Sequence, residues 1–168
     1  SPGHAETVDY LIKAGAAIDH ADKNGTNALM AAAIEGHTKT VDYLIKARAS
    51  IDHADNNGAH ALMGAATNGH AKTVDYLIKA GANINHCDND EWTALMFATT
   101  NGHAETVDYL IKAGAAINHC GNDGKTALMA ASLHGHEETV KRLINAGANI
   151  KHTNKDELTA LIMAANYG

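Results

Sequence analysis

Residues 55–87 read DNNGAHALMGAATNGHAKTVDYLIKAGANINHC, and this frame recurs in both directions at a step of 33 residues. A Gly-His pair marks every step, at Gly3-His4, Gly36-His37, Gly69-His70, Gly102-His103 and Gly135-His136. The string TVDYLIKA stands at 7–14, 40–47, 73–80 and 106–113, and loosens to TVKRLINA at 139–146. ALM begins at 28, 61, 94 and 127, and becomes ALI at 160. No insertion breaks the count. A fixed period of this kind is the signature of a solenoid, in which each unit is too small to bury its own apolar face and must stack on its neighbours.

Within one unit, two stretches carry helical spacing. From Ala61 to Asn68 the apolar residues include Ala61, Leu62, Ala65 and Ala66, a short helix with a small-residue face that Gly69 stops. From Ala71 to Ala80, Val74, Leu77 and Ile78 form one stripe, and Gly81 sits where a left-handed cap residue belongs. The remaining ANINHCDND is polar and turn-rich. Each unit is therefore helix, turn, helix, loop.

This unit resembles the ankyrin repeat, whose frame is also about 33 residues long and reads roughly D-x-x-G-x-T-P-L-H-x-A-A-x-x-G-H before a G-A-D-V-N-A hairpin segment. The resemblance covers the whole chain and implies an all-α solenoid of stacked antiparallel helix pairs joined by β-hairpin loops. It divides the chain as one ankyrin repeat domain, 1–168: a partial repeat at 1–21, full repeats at 22–54, 55–87, 88–120 and 121–153, and a partial repeat at 154–168. Both ends fall inside a repeat, so a fragment of a longer array is expected. The departures carry their own expectations. The family's TPLH is here NALM, HALM, TALM, TALM and TALI, so a flexible apolar Met takes the place of a hydrogen-bonding His. Ala replaces the helix-starting Pro, at no loss of helix propensity. Arg48 stands where a cap glycine is expected, which costs on the order of 1 kcal/mol if φ is positive. Glu91 and Glu157 replace a hairpin glycine, and those two tips are expected to differ in shape from the rest.

Composition narrows the function. The chain is 45% apolar, so it has ample surface to bury and disorder is not expected. Its formal net charge of -6 is the reverse of a nucleic-acid binder's balance. No apolar run approaches the roughly 18–20 residues that span a bilayer. No signal peptide is visible, and two cysteines in 168 residues do not make a disulfide framework. These features favour a cytoplasmic or nuclear setting, with no membrane insertion, no nucleic acid, and a monomer as the expected state.

INHC occurs twice, at Ile84–Cys87 and Ile117–Cys120, and raises the question of zinc. Equivalent residues of stacked repeats lie about 8–10 Å apart, whereas one zinc ion needs every ligand within about 2.0–2.3 Å. The pairs His86/His119 and Cys87/Cys120 therefore cannot share an ion. A disulfide fails on the same separation, since its Cα atoms must lie within about 7 Å. His86 also belongs to a ladder of His20, His53, His86, His119 and His152, at a hairpin position where the family usually has Ala. The expectation is no metal and no cofactor. The chain carries no nucleophile elbow, P-loop or dinucleotide fingerprint, and nearly every polar residue recurs with the repeat. A non-catalytic segment is expected, with a catalytic domain elsewhere in a longer chain left open.

In a repeat protein the scaffold recurs and the binding residues vary. By resemblance to the family, partners bind the hairpin tips and the exposed side of the first helix. The sole Trp and the sole Phe fall there together, as Trp92 and Phe97. Aromatic residues of this kind are enriched at interface cores. The candidate surface is Trp92 and Phe97, edged by Asn89, Asp90, Asn101, Lys125 and His134 and extended by Leu133, Leu158, Met163 and Tyr167. Three readings stand: a groove for a protein or peptide partner, local core packing, or a surface covered in a longer chain. The resemblance also implies a different role, as substrate of the iron-dependent oxygenase that hydroxylates hairpin asparagines, often with a Leu eight residues upstream. Asn85 follows Leu77 and Asn118 follows Leu110 at that spacing, with Asp19 and Asp52 at the equivalent positions. A structural spacer in a larger multidomain protein is the third possibility.

Overall fold

The computed structural model describes the backbone of residues 2–167 and the side chains of residues 4–166. Among the described residues there are ten helices: α1 (Pro2–Lys13), α2 (Ala28–Ile34), α3 (Thr38–Lys46), α4 (Ala61–Thr67), α5 (Ala71–Lys79), α6 (Ala94–Thr100), α7 (Ala104–Lys112), α8 (Ala127–Leu133), α9 (Glu137–Asn145) and α10 (Ala160–Tyr167). The even-numbered helices stack in one row, α2 on α4, α4 on α6, α6 on α8 and α8 on α10. The odd-numbered helices form a second row behind them, and each full repeat pairs one helix of each row. The protein is an all-α solenoid. The hairpins between pairs close through isolated antiparallel bridges, Ala54 with His60, Cys87 with Thr93 and Cys120 with Thr126.

Local chemistry sets each boundary. The short helices start at extended Asn27, Thr93 and Thr126, whose side-chain oxygens accept the N–H of Met30, Met96 and Met129. They stop at Gly36, Gly69, Gly102 and Gly135, all with φ near +70°. The Gly-His histidine then does two jobs. The His70 ring lies so close to Gly36 that an added Cβ would come within 2.5 Å of Nδ1, and its Nε2–H donates to the Ile34 carbonyl at 2.9 Å. The same bond recurs from His103 to Thr67 and from His136 to Thr100, each at 2.9 Å. The histidine is a spacer that fixes one repeat on the next.

The core lies between the two rows. Leu62, Met63, Ala65 and Ala66 of α4 meet Val74 and Leu77 of α5, all essentially without solvent contact. Met30, Met63, Met96 and Met129 are buried, so the apolar replacement fills the space between layers.

Arg48 adopts the expected positive φ, at 71°. The tips at Glu91 and Glu157 do not differ in shape, contrary to the expectation from sequence. Their φ values of 60° and 59° match the left-handed values of Gly25, Gly58 and Gly124. The surroundings over-determine the conformation. His119 Nε2–H donates to the Glu91 carbonyl at 2.8 Å, as His53, His86 and His152 do to the carbonyls of Gly25, Gly58 and Gly124. A ladder histidine thus holds the tips at residues 25, 58, 91 and 124, whereas Glu157 takes the left-handed φ with no such bond among the described residues.

Candidate partner-binding surface

The tips are built from an Asx turn. Asp22, Asp55 and Asp88 each accept two backbone N–H groups with one carboxylate oxygen, from residues two and four positions on. Asn154 does the same. Gly121 has no side chain to do so, and Asp123 accepts the Lys125 N–H instead, at 2.9 Å.

The reason for Gly121 is Trp92. A Cβ at Gly121 would lie 2.7 Å from the indole Cδ1 and Nε1, so the Trp92 ring rests on the bare backbone of the next tip. Its other neighbour is Phe97, with ring centroids 5.5 Å apart at 53°, a tilted aromatic pair of the favourable kind. Both rings are half-buried and both touch the core. The structure brings together the two aromatics that the sequence singled out, on the tip-and-first-helix side of the solenoid. Equivalent positions vary around them. Ala130 and Met163, in register with Phe97, are only 2% exposed, so Met163 is core and does not extend the surface, contrary to the expectation from sequence.

The remaining candidates have mixed roles. Asn89 is exposed but engaged: its backbone N–H donates to Asn57 O and its side-chain amide to Asn56 O. Asn56 and Asn122 repeat this tie at their own tips. Asp90 is exposed. Asn101 is exposed, caps the end of α6 and donates to Phe97 O at 3.0 Å. Lys125 pairs with Asp123 at 3.0 Å. Leu133 and Leu158 are half-buried against the core. His134 is exposed and stacks on His136 with centroids 5.9 Å apart. The Tyr167 side chain lies outside the described residues.

Asn85 and Asn118 belong to another ladder. Their Oδ1 atoms accept the N–H of Ala116 and Asn149 at 2.8 Å, as Asp19 and Asp52 accept those of Ser50 and Asn83 at 2.9 Å. Each side chain ties its hairpin to the next repeat.

Three environments depart from the repeat. His60 stands where Thr93 and Thr126 cap, makes no cap bond, and is 1% exposed. Its Nε2 donates to Asn83 O at 3.2 Å, its Nδ1 has no partner, and its ring lies 4.6 Å from that of His86. Burial pushes its pKa below the usual 6.5. On the second-helix face, the Tyr76 hydroxyl donates to Asp42 of the preceding repeat, and this bond, with burial and the Asp42 charge, pushes the phenol up to about 12. Finally, Cys87 Sγ lies 3.5 Å from His119 Nε2, with Glu91 beside both. Burial, reinforced by the Glu91 carboxylate, pushes the Cys87 thiol up. Cys87 and His119 are 32 residues apart, so comparing equivalent positions, 33 apart, does not reveal the pair. The ladder register was the missed signal: His119 follows Glu91 by the same 28 positions as His53 follows Gly25.

The sequence profile of the family described as ankyrin repeats (3 copies) matches residues 1–88 and again residues 62–154. A comparison with curated proteins returns no match.

Proposed function

The chain belongs to the ankyrin repeat family, whose repeats are generally protein–protein interaction modules and typically non-catalytic, and on that premise we propose that it binds a protein or peptide across its tip-and-first-helix face. One observation supports this reading above the others. The scaffold strings recur almost unchanged, while the Trp92–Phe97 pair is placed once, half-exposed, on the side where the sequence varies. A large aromatic pair seated on a rigid base gives contact area at little entropic loss. Exposed Asp90, Asn101 and His134 supply the polar rim around it. Partly buried Leu133 and Leu158 carry the apolar strip toward the last repeat.

The test is to select binders from a displayed peptide library on the intact chain and map their footprint by amide and Trp92 indole NMR shifts. The expected footprint is Trp92, Phe97, Asp90, Asn101 and His134. Asp90→Lys, which leaves the packing intact, should weaken the selected binders while leaving the unfolding curve in place. A footprint confined to α3, α5, α7 and α9 would sink the reading.

A further inference from the structure

A thiol, a carboxylate and an imidazole converge from two repeats at the junction of the third and fourth hairpins. Donor atoms of Cys87, Glu91 and His119 all lie within 4.8 Å of one another. Cys87 Sγ and His119 Nε2 are 3.5 Å apart. A thiolate at about 2.3 Å and an imidazole nitrogen at about 2.0–2.1 Å from one tetrahedral zinc ion are themselves roughly 3.5 Å apart. The resting separation therefore matches one edge of a tetrahedral coordination shell in length, with Nε2 directed at the Glu91 carbonyl until an ion displaces that bond. Glu91 closes a second edge by a side-chain rotation, since it is exposed and free of the core.

The repeat supplies its own comparison. The equivalent trio is Ala21, Gly25 and His53 at the first junction, Ala54, Gly58 and His86 at the second, and Cys120, Gly124 and His152 at the fourth. Only the third junction has all three donors. It gains its carboxylate by placing Glu91 at a φ of 60°, where the sibling tips use glycine. Glu157 takes the same left-handed φ at the last tip, but Thr153 stands there in the place of Cys87, so only Glu91 has a thiol and an imidazole beside it.

We propose that Cys87, Glu91 and His119 bind a zinc-class divalent metal ion, with water at the fourth position, and so clamp the third hairpin to the fourth. Thiolate and imidazole together favour zinc over magnesium or calcium. The proton balance follows. The Cys87 thiol, held up by burial and by Glu91, releases its proton to solvent when the metal binds. The His119 proton moves from Nε2 to Nδ1, so the imidazole stays neutral and gives up its bond to the Glu91 carbonyl. The ion takes over that bond's role, joining His119 of the fourth hairpin to Cys87 and Glu91 of the third.

Cobalt(II) titration of the reduced, tag-free chain tests this. The expected result is one cobalt per chain with a thiolate-to-metal charge-transfer band, displaced by zinc. Cys87→Ser should abolish the band, while Cys120→Ser keeps it. Glu91→Gly installs the residue of the sibling tips, so it folds, and should weaken affinity about tenfold or more. Zinc should raise Tm in the parent and in Cys120→Ser but not in Cys87→Ser. Cobalt bound without a thiolate band, a band lost equally in both cysteine variants, or no binding at all would each overturn the proposal.

Discussion

Helices α1 and α5 share the string TVDYLIKA, at 7–14 and 73–80, yet the structure uses it differently. Leu77 is fully buried, whereas Leu11 is 56% exposed. Tyr76 is half-buried and bonded to Asp42 of the neighbouring repeat, whereas Tyr10 is 80% exposed. Helix α5 lies between α3 and α7, while α1 packs on α3. The same residues thus give the same helix but not the same burial. In a solenoid the neighbour, not the string, decides which apolar side chain carries stability.

The largest expected effect sharpens that contrast. Leu77→Ala should cost about 3–5 kcal/mol in urea unfolding, from lost burial and the cavity left behind. Leu11→Ala, in the identical string, should stay within about 0.5 kcal/mol. Equal losses would break the comparison.

The next effect concerns the third and fourth tips. Gly121→Ala brings a methyl group against the Trp92 ring and should cost about 1–3 kcal/mol. The same change in a Trp92→Ala background should cost little, leaving a coupling of at least about 1 kcal/mol in the double-mutant cycle. Additive losses would mean that Trp92 does not need the bare backbone beneath it.

A smaller effect separates the second repeat from the third. His60 is buried and neutral where Thr93 caps its helix. Its folded pKa lies below the unfolded value of 6.5, so the unfolded chain binds the extra proton first. The stability linked to His60 is therefore complete above pH 6.5 and is lost as pH falls from there through the depressed folded value. Asp52, 3.9 Å away, and His86 face the same ring and act in opposite directions. His60→Thr should flatten the loss of stability between neutral and mildly acid pH, and the restored cap should add about 1 kcal/mol at pH 7. An unchanged pH slope would assign the acid sensitivity to other groups.

The smallest effect is at Arg48, which ends α3 at a φ of 71° where Gly81 ends α5 at 97°. Arg48→Gly should stabilise by about 0.5–1 kcal/mol, read as a shift in urea midpoint with the slope unchanged. A loss of stability would show that the Arg48 side chain holds something the backbone does not reveal.

What was legible in the sequence is what repeats. The step of 33, the paired helices, the stop at each Gly-His and the buried Val-Leu stripe follow from periodicity and from glycine's conformational reach. Contacts between non-equivalent positions were harder to see. Trp92 over Gly121 and Cys87 beside His119 depend on the offset between adjacent hairpins, which no single unit contains. The tip shape at Glu91 differs from the expectation for a related reason. A residue's own preference for φ gave way to a bond donated from the next repeat, observed at Glu91. Asn89 is the same case among the candidate surface residues, for its amide is taken up by the preceding tip.

The Gly-His spacer has one more consequence. At three described seams one unit shows a bare glycine and an open carbonyl and the next an imidazole donor, so the two sides are complementary rather than alike. Such a head-to-tail contact does not close on itself. A whole unit between these seams can be duplicated or deleted and the cut faces still match, because the three seams use the same lock and key. Growth of this kind changes how far the aromatic layer sits from either end without altering how any layer is held.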